Sequence, residues 1–174
     1  MHVFLKKSRP THPRAARKNK PREDEMDFRR STPFDAPKMA ALEKISFPDA
    51  WSERALADLI CTEGSMCFSA TDGERLVAYV VGRLIAPEGE IYRVAVDPEY
   101  RRRGIAYRLL DYAIKTSRGK GLEVAFLEVR SKNVAARALY TAYGFEVVGI
   151  RKNYYKDPTD DAVIMLKASK ADLI

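Results

Sequence analysis

Residues suited to binding an anion lie between positions 94 and 106. The apolar run Val94, Ala95, Val96 predicts the end of a strand, and a helical pattern begins at Gly104. Backbone N–H groups at a helix N-terminus bind anions, helped by the helix dipole. Small residues at 104 and 106 let the chain approach a phosphate, and three cations stand at the rim: Arg101, Arg102 and Arg103. The stretch predicts a pyrophosphate-binding loop, although a solvated basic loop has the same composition.

The hydropathy pattern around this loop alternates between helical and extended segments. Asp35 and Ser52 are positioned to cap two helices, the first with Met39, Leu42 and Ile45 as its inner face. The predicted order is ααβββαβαββ, an α/β chain with a mixed sheet and helices on both faces. Strands are expected at 67–70, 75–84, 90–96, 124–130, 145–150 and 162–167, and later helices at 104–117 and from Asn133 to Gly144.

Positive charge is concentrated at the N-terminus. Residues 1–25 hold eight Lys or Arg and three acidic residues, a net +5 of the chain's +7, which leaves +2 for residues 26–174. We predict a disordered basic tail over 1–25 and one folded domain over 26–174, without nucleic-acid binding by the domain itself. Three interpretations of residues 1–25 stay open. They are a solvated tail, a segment included only because the start codon was placed too early and Met26 is the true start, or a nucleic-acid- or ribosome-binding arm.

The distribution of histidine and cysteine excludes several chemistries. Both histidines, His2 and His12, lie in the tail, so the domain has no histidine base and no imidazole metal ligand. We expect no metal. The two cysteines, Cys61 and Cys67, without a signal peptide favour free thiols in the cytoplasm. No apolar run approaches the roughly 20 residues that span a bilayer, so no membrane association is expected.

Several motifs carry a resemblance to a known family. The pattern Arg101-x-x-Gly104-x-Ala106 resembles the Q/R-x-x-G-x-G/A acetyl-CoA loop of the GNAT superfamily of N-acetyltransferases, with Ala106 in place of the commoner second glycine. Further motifs, over about 130 residues, resemble the bacterial ribosomal-protein-alanine N-acetyltransferases. They are Phe47-Pro48-x-x-Trp51-Ser52, Leu127-Glu128-Val129-Arg130, Asn133-x-Ala135-Ala136-x-x-Leu139-Tyr140, Tyr143-Gly144-Phe145 and Arg151-x-Asn153-Tyr154-Tyr155 followed by Asp161-Ala162.

The resemblance implies a mostly antiparallel sheet in which splayed strands hold acetyl-CoA, and an acceptor that is a protein or peptide N-terminus. We also expect a monomer or weak dimer. It assigns Glu128 as the general base and Tyr140 as the acid that protonates the coenzyme A thiolate. The residues expected to bind the cofactor are Val94, Ala95, Val96, Arg101, Arg102, Arg103, Gly104, Ile105, Ala106, Tyr107 and Asn133. Those expected to bind the acceptor are Trp51, Arg93, Tyr154 and Tyr155.

Each of these residues also has a structural interpretation. An apolar strand around Glu128 should raise the pKa of its carboxyl, which suits a base, unless the residue forms a salt bridge to a core arginine. Tyr140 is otherwise a core aromatic, and Tyr154 and Tyr155 are otherwise hairpin aromatics. Arg93 stands where the branch usually has a smaller polar residue, and strand alternation allows it to face the substrate channel.

Three alternative functions share part of this pattern. An acetyltransferase for a small amine would have the same cofactor residues, and so would a lysine acetyltransferase. A non-catalytic ribosome- or RNA-binding module would not need Glu128 and Tyr140. An α-amine has a pKa of about 8 and a lysine side chain one of about 10.4, so a single carboxylate base deprotonates an N-terminus more easily than a lysine.

Overall fold

The structure is a computed structural model that describes residues 26–169. The predicted basic tail, residues 1–25, lies outside the described residues. Within them, one sheet carries all seven strands and four α-helices flank it. The strands are β1 Met26–Arg30, β2 Phe68–Asp72, β3 Arg75–Ile85, β4 Glu88–Val96, β5 Val124–Arg130, β6 Glu146–Lys156 and β7 Thr159–Ala168. The helices are α1 Ala36–Ser46, α2 Glu53–Cys61, α3 Ile105–Arg118 and α4 Val134–Tyr143.

The sheet is mixed and mostly antiparallel, as predicted. Its strand order is β1-β2-β3-β4-β5-β7-β6, and β4–β5 is its one parallel pair among the described strands. The prediction missed β1, whose short sequence borders the basic tail and pairs only with β2. It also made the last two strands too short, since they continue into a hairpin that turns at Asp157-Pro158.

Helices cover both faces of the sheet, as predicted. Buried side chains of α3 and α4 pack on one face, with Leu109, Leu110 and Tyr140 among them. Buried side chains of α1 and α2 pack on the other, with Met39 and Leu56 among them. None of the helices between residues 26 and 169 is long and apolar enough to cross a membrane.

The two central strands separate halfway along their length. The parallel pairing of β4 and β5 runs from Glu88 opposite Val124 to Ile91 opposite Leu127 and then ends. Beyond it β4 continues to Val96 beside β3 alone, while β5 continues beside β7. Edges that no longer pair with each other leave a V-shaped opening in the middle of the sheet. This opening is the splay expected to hold acetyl-CoA.

A β-bulge lies at the point of separation. Val81 of β3 pairs with Arg93, but the next residue, Gly82, pairs with Ile91, so Tyr92 is the extra residue in β4. A Cβ on Gly82 would lie 2.2 Å from the backbone oxygen of Glu90, so only glycine fits here. A bulge re-aims the side chains around it, and Tyr92 packs against the core under α1 and α2.

Helix α1 differs from the predicted amphipathic pattern. Met39 and Leu42 are buried as expected, but Ile45 is 61% exposed and Glu43 is completely buried. A carboxylate is buried only where partners satisfy it. The inner face of α1 therefore includes an acidic residue, whose partners lie on β3 and β4.

Candidate active site

Two cavities meet at the strand separation. The donor cavity, about 480 Å³, lies between the end of β4 and the N-termini of α3 and α4. The acceptor cavity, about 420 Å³, lies on the side of α1, β5 and β6. They are adjacent, because Phe47, Val94, Asn133, Ala136 and Tyr140 line both of them. These shared residues form the boundary between the two cavities.

The loop before α3 forms the floor of the donor cavity. Arg102 has φ +62° and Gly104 φ +70°, a left-handed conformation that is unfavourable for the arginine. When left-handed residues alternate with residues of ordinary φ, successive backbone N–H groups point into one concave surface, which can bind an anion. Helix α3 begins directly afterwards and adds its dipole.

Ten of the eleven residues predicted to bind the cofactor line this cavity. They are Val94, Ala95, Val96, Arg101, Arg102, Gly104, Ile105, Ala106, Tyr107 and Asn133. Arg103 does not line it, because its guanidinium donates to the Glu99 carbonyl at 2.6 Å and stacks on the Tyr100 ring. The Arg101 Nε bonds the Val96 carbonyl at 3.0 Å, which fastens the loop to the end of β4.

Helix α4 positions Tyr140 at the junction of the two cavities. The Asn133 side chain caps the helix by accepting from the Ala136 N–H at 3.1 Å, as predicted. Tyr140 is buried, and its hydroxyl forms no hydrogen bond with any group in residues 26–169. Burial, and then the nearby Tyr155, raise the pKa of Tyr140, so the phenol is protonated at neutral pH. It is available to donate a proton.

Glu128 lies on β5 in the acceptor cavity, but its setting differs from the prediction. Its carboxylate pairs with the Arg151 guanidinium of β6 at 2.7 Å, and its side chain is 19% exposed. The expectation of an isolated carboxyl among apolar neighbours is therefore wrong. Glu128 does form a salt bridge, but its partner is an arginine whose side chain is 56% exposed and not a core arginine. Neighbouring residues Leu127 and Val129 are buried on the opposite face, because side chains alternate along a strand.

Two tyrosines of β6 form the outer wall of the acceptor cavity. The rings of Tyr154 and Tyr155 meet edge to face, with centroids 5.2 Å apart. The Arg130 guanidinium lies 4.1 Å from the Tyr155 centroid and also donates to the Pro158 carbonyl at 2.9 Å. Arg130 thus connects the β6–β7 hairpin to the end of β5. Both tyrosines line the acceptor cavity, and their predicted contact with the acceptor stays a prediction.

Arg93 and Trp51 form the opposite wall. Arg93 is held by the buried Glu43 carboxylate at 2.6 Å and by Asp49 at 2.7 Å. Its guanidinium lies 4.6 Å from the Phe47 ring centroid and 4.7 Å from that of Trp51. Arg93 does line the acceptor cavity, but its charge is already paired. It fixes the loop between α1 and α2 rather than offering a free cation to a substrate.

Glu43 is the centre of this network. It accepts from Arg93, from the Trp51 N–H at 2.9 Å and from the Tyr79 hydroxyl. Burial, and then the bond to Glu43, raise the pKa of Tyr79, so that phenol stays a donor. Three donors from β3, β4 and the loop before α2 satisfy one buried carboxylate.

Comparison with known proteins decides between the possible interpretations of the two cavities. Residues 36–145 match the acetyltransferase (GNAT) family. The chain belongs to the GNAT family. This acetyltransferase is 33% identical over 135 residues to the Escherichia coli K12 protein described as [Ribosomal protein bS18]-alanine N-acetyltransferase, covering 75% of this chain and 89% of that protein. It is 37% identical over 144 residues to the Mycobacterium tuberculosis N-alpha-acetyltransferase RimI, covering 79% and 89%.

Solved structures agree with this assignment. The crystal structure of the ribosomal-protein-S18-alanine N-acetyltransferase from Escherichia coli superimposes with a TM-score of 0.77 and 30% identity, covering 86% of this chain and 99% of that one. The protein is therefore an acetyl-CoA-dependent N-acetyltransferase of the GNAT fold. In residues 26–169, no cluster of three or more His, Cys, Asp or Glu side chains is arranged to hold a metal ion.

Sequence reasoning missed three charged residues of the acetyltransferase's acceptor side. Glu43 lies between the apolar residues of a predicted helix and was not expected to be buried. Arg151 was named only as part of a motif. Glu90 begins the third predicted strand and lines the acceptor cavity with Glu128. The cysteines behave as free thiols, and burial raises the pKa of Cys67 to about 11.

Replacing Gly104 by valine tests the anion-binding loop. The valine side chain would project toward the phosphate approach, and a β-branched residue is strained at φ +70°. We expect the acetyl-CoA KM to rise about tenfold or more, the scale of losing a hydrogen bond to a charged group. Gly73→Val is the matched control, because Gly73 also has a positive φ and open space around it but lies in the β2–β3 turn. Equal coenzyme A affinity in both variants by calorimetry would contradict the loop's role.

Replacing Arg93 by methionine tests the buried ion pair. Glu43 would lose its counter-charge, so the free energy of unfolding should fall on the order of 3 kcal/mol. The KM for a peptide acceptor should rise more than that for acetyl-CoA, since Phe47 and Trp51 lose their support. Arg54→Met removes an exposed arginine paired with Asp58 at 3.8 Å and serves as control. Urea unfolding of both variants measures the change in the free energy of unfolding. An equally small loss in both would show that the network around Glu43 contributes little stability.

Proposed function

We propose that this acetyltransferase transfers the acetyl group of acetyl-CoA to the N-terminal α-amine of a protein, such as a ribosomal protein. The observation that carries the proposal is that Glu128 lines the acceptor cavity while Tyr140 lines both cavities, at the boundary between them. A base on the acceptor side and an acid between the two sides are what a direct displacement needs. The named activities of the Escherichia coli and Mycobacterium tuberculosis relatives support the same acceptor class.

The acceptor side handles the proton of the incoming ammonium. Glu128 accepts this proton, directly or through a water, and the neutral amine attacks the thioester carbonyl. Trp51, Tyr154 and Tyr155 orient the first residues of the peptide, while Arg93 keeps the Trp51 loop in place. These aromatic walls offer contact area without an additional charge, which suits a short peptide of varied sequence.

The donor side handles the charge that develops during transfer. The backbone N–H of Val96, on the part of β4 that β5 no longer covers, hydrogen-bonds the thioester oxygen as it becomes negative. A C–N bond forms, the C–S bond breaks, and Tyr140 donates its proton to the departing thiolate. The second proton leaving the nitrogen then restores the tyrosine hydroxyl. The loop of Arg101, Arg102 and Gly104 holds the pyrophosphate throughout.

The other acceptors remain as alternatives. A lysine side chain is charged to well over 99.9% at pH 7, given its pKa of about 10.4, against roughly nine-tenths for an α-amine. A single carboxylate base therefore deprotonates an N-terminal α-amine more easily than a lysine side chain. A monomer or weak dimer in the cytoplasm, without direct binding to nucleic acid or membrane, stays a prediction from the sequence.

The acceptor class is tested with paired peptides. Peptides beginning with Ala, Ser or Met, each with one internal lysine, are incubated with acetyl-CoA and analysed by mass spectrometry. We expect acetylation on the α-amine, and none on copies whose N-terminus is blocked in advance. Spermidine and a lysine-rich peptide serve as the competing acceptors. Faster acetylation of either one, or acetylation of the blocked copies, would overturn the proposed acceptor.

The roles of Glu128 and Tyr140 are separated by pH. Glu128→Gln should lower kcat/KM by about 10² or more, the usual scale for a general base. The loss should shrink as pH rises, because the amine then deprotonates without help. Tyr140→Phe should lower the rate with no such recovery, since its role is to donate a proton. Rates of the wild type and both variants on one peptide over pH 6–9 provide the measurement, and full activity of Glu128→Gln would refute the assigned base.

A further inference from the structure

Strand β6, which carries the outer wall of the acceptor cavity, contains a wide β-bulge. Arg151 of β6 lies opposite Ala162 of β7, and the next paired residues are Tyr155 and Asp160. Three residues of β6 therefore stand opposite a single residue of β7, Asp161. Because β6 is at the edge of the sheet, only β7 can hold this bulge within the described sheet. Extra residues bend a strand and re-aim the side chains that follow them.

The bulge sets the position of Tyr155 relative to the acceptor cavity. In a regular antiparallel ladder Asn153 would lie opposite Asp160, and Tyr155 would lie two residues, about 7 Å, further along the strand. The two additional residues bring Tyr155 back to the level of Asp160. Tyr154, inside the bulge, and Tyr155, at its end, both line the acceptor cavity. The placement of both rings beside the cavity therefore depends on the bulge.

Side chains replace the ladder hydrogen bonds that the bulge interrupts. One oxygen of the Asp161 carboxylate accepts from the Asn153 N–H at 2.8 Å, and the other accepts from the Lys152 ammonium at 2.8 Å. The Lys156 ammonium donates to the Asn153 carbonyl at 3.0 Å. Asn153 has φ +52°, a left-handed conformation in which asparagine is enriched. Both backbone polar groups of Asn153 are thus satisfied by side chains.

The bond from the Asn153 N–H to Asp161 is the attachment of the bulge to β7. The Lys152 ammonium, and then the Asn153 N–H, lower the pKa of Asp161, so its carboxylate is ionised at neutral pH. A hydrogen bond to an ionised acceptor is stronger than one to a neutral acceptor. The Lys152 side chain is 75% exposed, so its ion pair with Asp161 adds little by itself. The carboxylate is therefore needed mainly for the backbone of Asn153.

We propose that Asp161 is a positioning residue for the peptide acceptor, which fixes the β6 bulge and through it the rings of Tyr154 and Tyr155. This inference rests on the proposed transfer to an N-terminal α-amine and refines it. Asp161 lines neither the donor nor the acceptor cavity, so its effect reaches the substrate through the two tyrosines. Arg130, 4.1 Å from the Tyr155 centroid, supports the ring, whereas Asp161 supports the backbone that carries it.

The experiment measures the steady-state kinetics of Asp161→Ala with one peptide acceptor and acetyl-CoA. The peptide KM should rise about tenfold, the scale of a lost hydrogen bond to a charged group, because the bulge relaxes and both tyrosine rings move. The KM for acetyl-CoA and kcat should stay near their wild-type values, because the donor cavity is unchanged. Asp161→Asn keeps an oxygen that can accept from the Asn153 N–H and should recover most of the peptide affinity. A peptide KM of Asp161→Ala equal to that of the wild type would overturn the proposal.

A combined variant separates positioning from a general loss of stability. In the Tyr154→Ala/Tyr155→Ala background, Asp161→Ala should raise the peptide KM no further, because coupled residues are not additive. Effects that simply multiply would show that Asp161 does not act through the tyrosines. Asp58→Ala, which removes an exposed aspartate paired with Arg54, is the matched control and should change neither KM. Asp161→Val repeats the test with a residue that favours strands, in case alanine destabilises β7.

Failure of this inference is distinguishable from failure of the proposed acceptor. The wild type alone tests the acceptor: acetylation of spermidine and of no peptide would overturn the acceptor assignment, and the positioning of a peptide with it. If the wild type acetylates α-amines and the Asp161 variants leave the peptide KM unchanged, the acceptor assignment holds and the positioning role of Asp161 alone is overturned.

Discussion

The active site depends on the ending of one parallel strand pairing. β4 and β5 are hydrogen-bonded only as far as Ile91 and Leu127, and the donor cavity opens beyond that point. The bulge at Tyr92 and the missing side chain of Gly82 let β4 turn away while staying paired with β3. Backbone groups of Val94–Val96 that a continuous sheet would use internally become available to a ligand, and the two cavities are the space this creates.

A separation in the middle of a sheet needs support on both faces. On the donor side the support is apolar, because α3 and α4 pack their buried side chains beside the opening. On the acceptor side it is polar, because the buried Glu43 ties Tyr79, Arg93 and the Trp51 backbone together. Such a network is directional, so it fixes the α1–α2 loop in one position, where an apolar contact would tolerate sliding.

The parts that the sequence predicted well are those governed by local rules. The strand–loop–helix around Gly104, the Ser52 and Asn133 caps and the Gly144 helix end each follow from residue type at one position. The missed parts depend on partners far away in the chain. From the local sequence, Glu43 is expected at the surface and Ile45 in the core. Both expectations fail because Arg93, 50 positions later, lies beside Glu43, and the local sequence does not show this contact. The ion pair of Glu128 with Arg151 likewise requires knowing that β7 lies between β5 and β6.

The acceptor side contains more anions than cations, and their pairing decides what remains for a substrate. Asp49 and Glu43 form ion pairs with Arg93, and Glu128 forms one with Arg151. The Arg130 guanidinium stacks on the Tyr155 ring. Glu90 is the carboxylate left over, so the cavity carries a net negative charge at its inner end. An ammonium is attracted to that charge and an acidic side chain is repelled. Once the amine is neutral this attraction ends, and the charge that attracted the substrate no longer opposes its attack on the thioester.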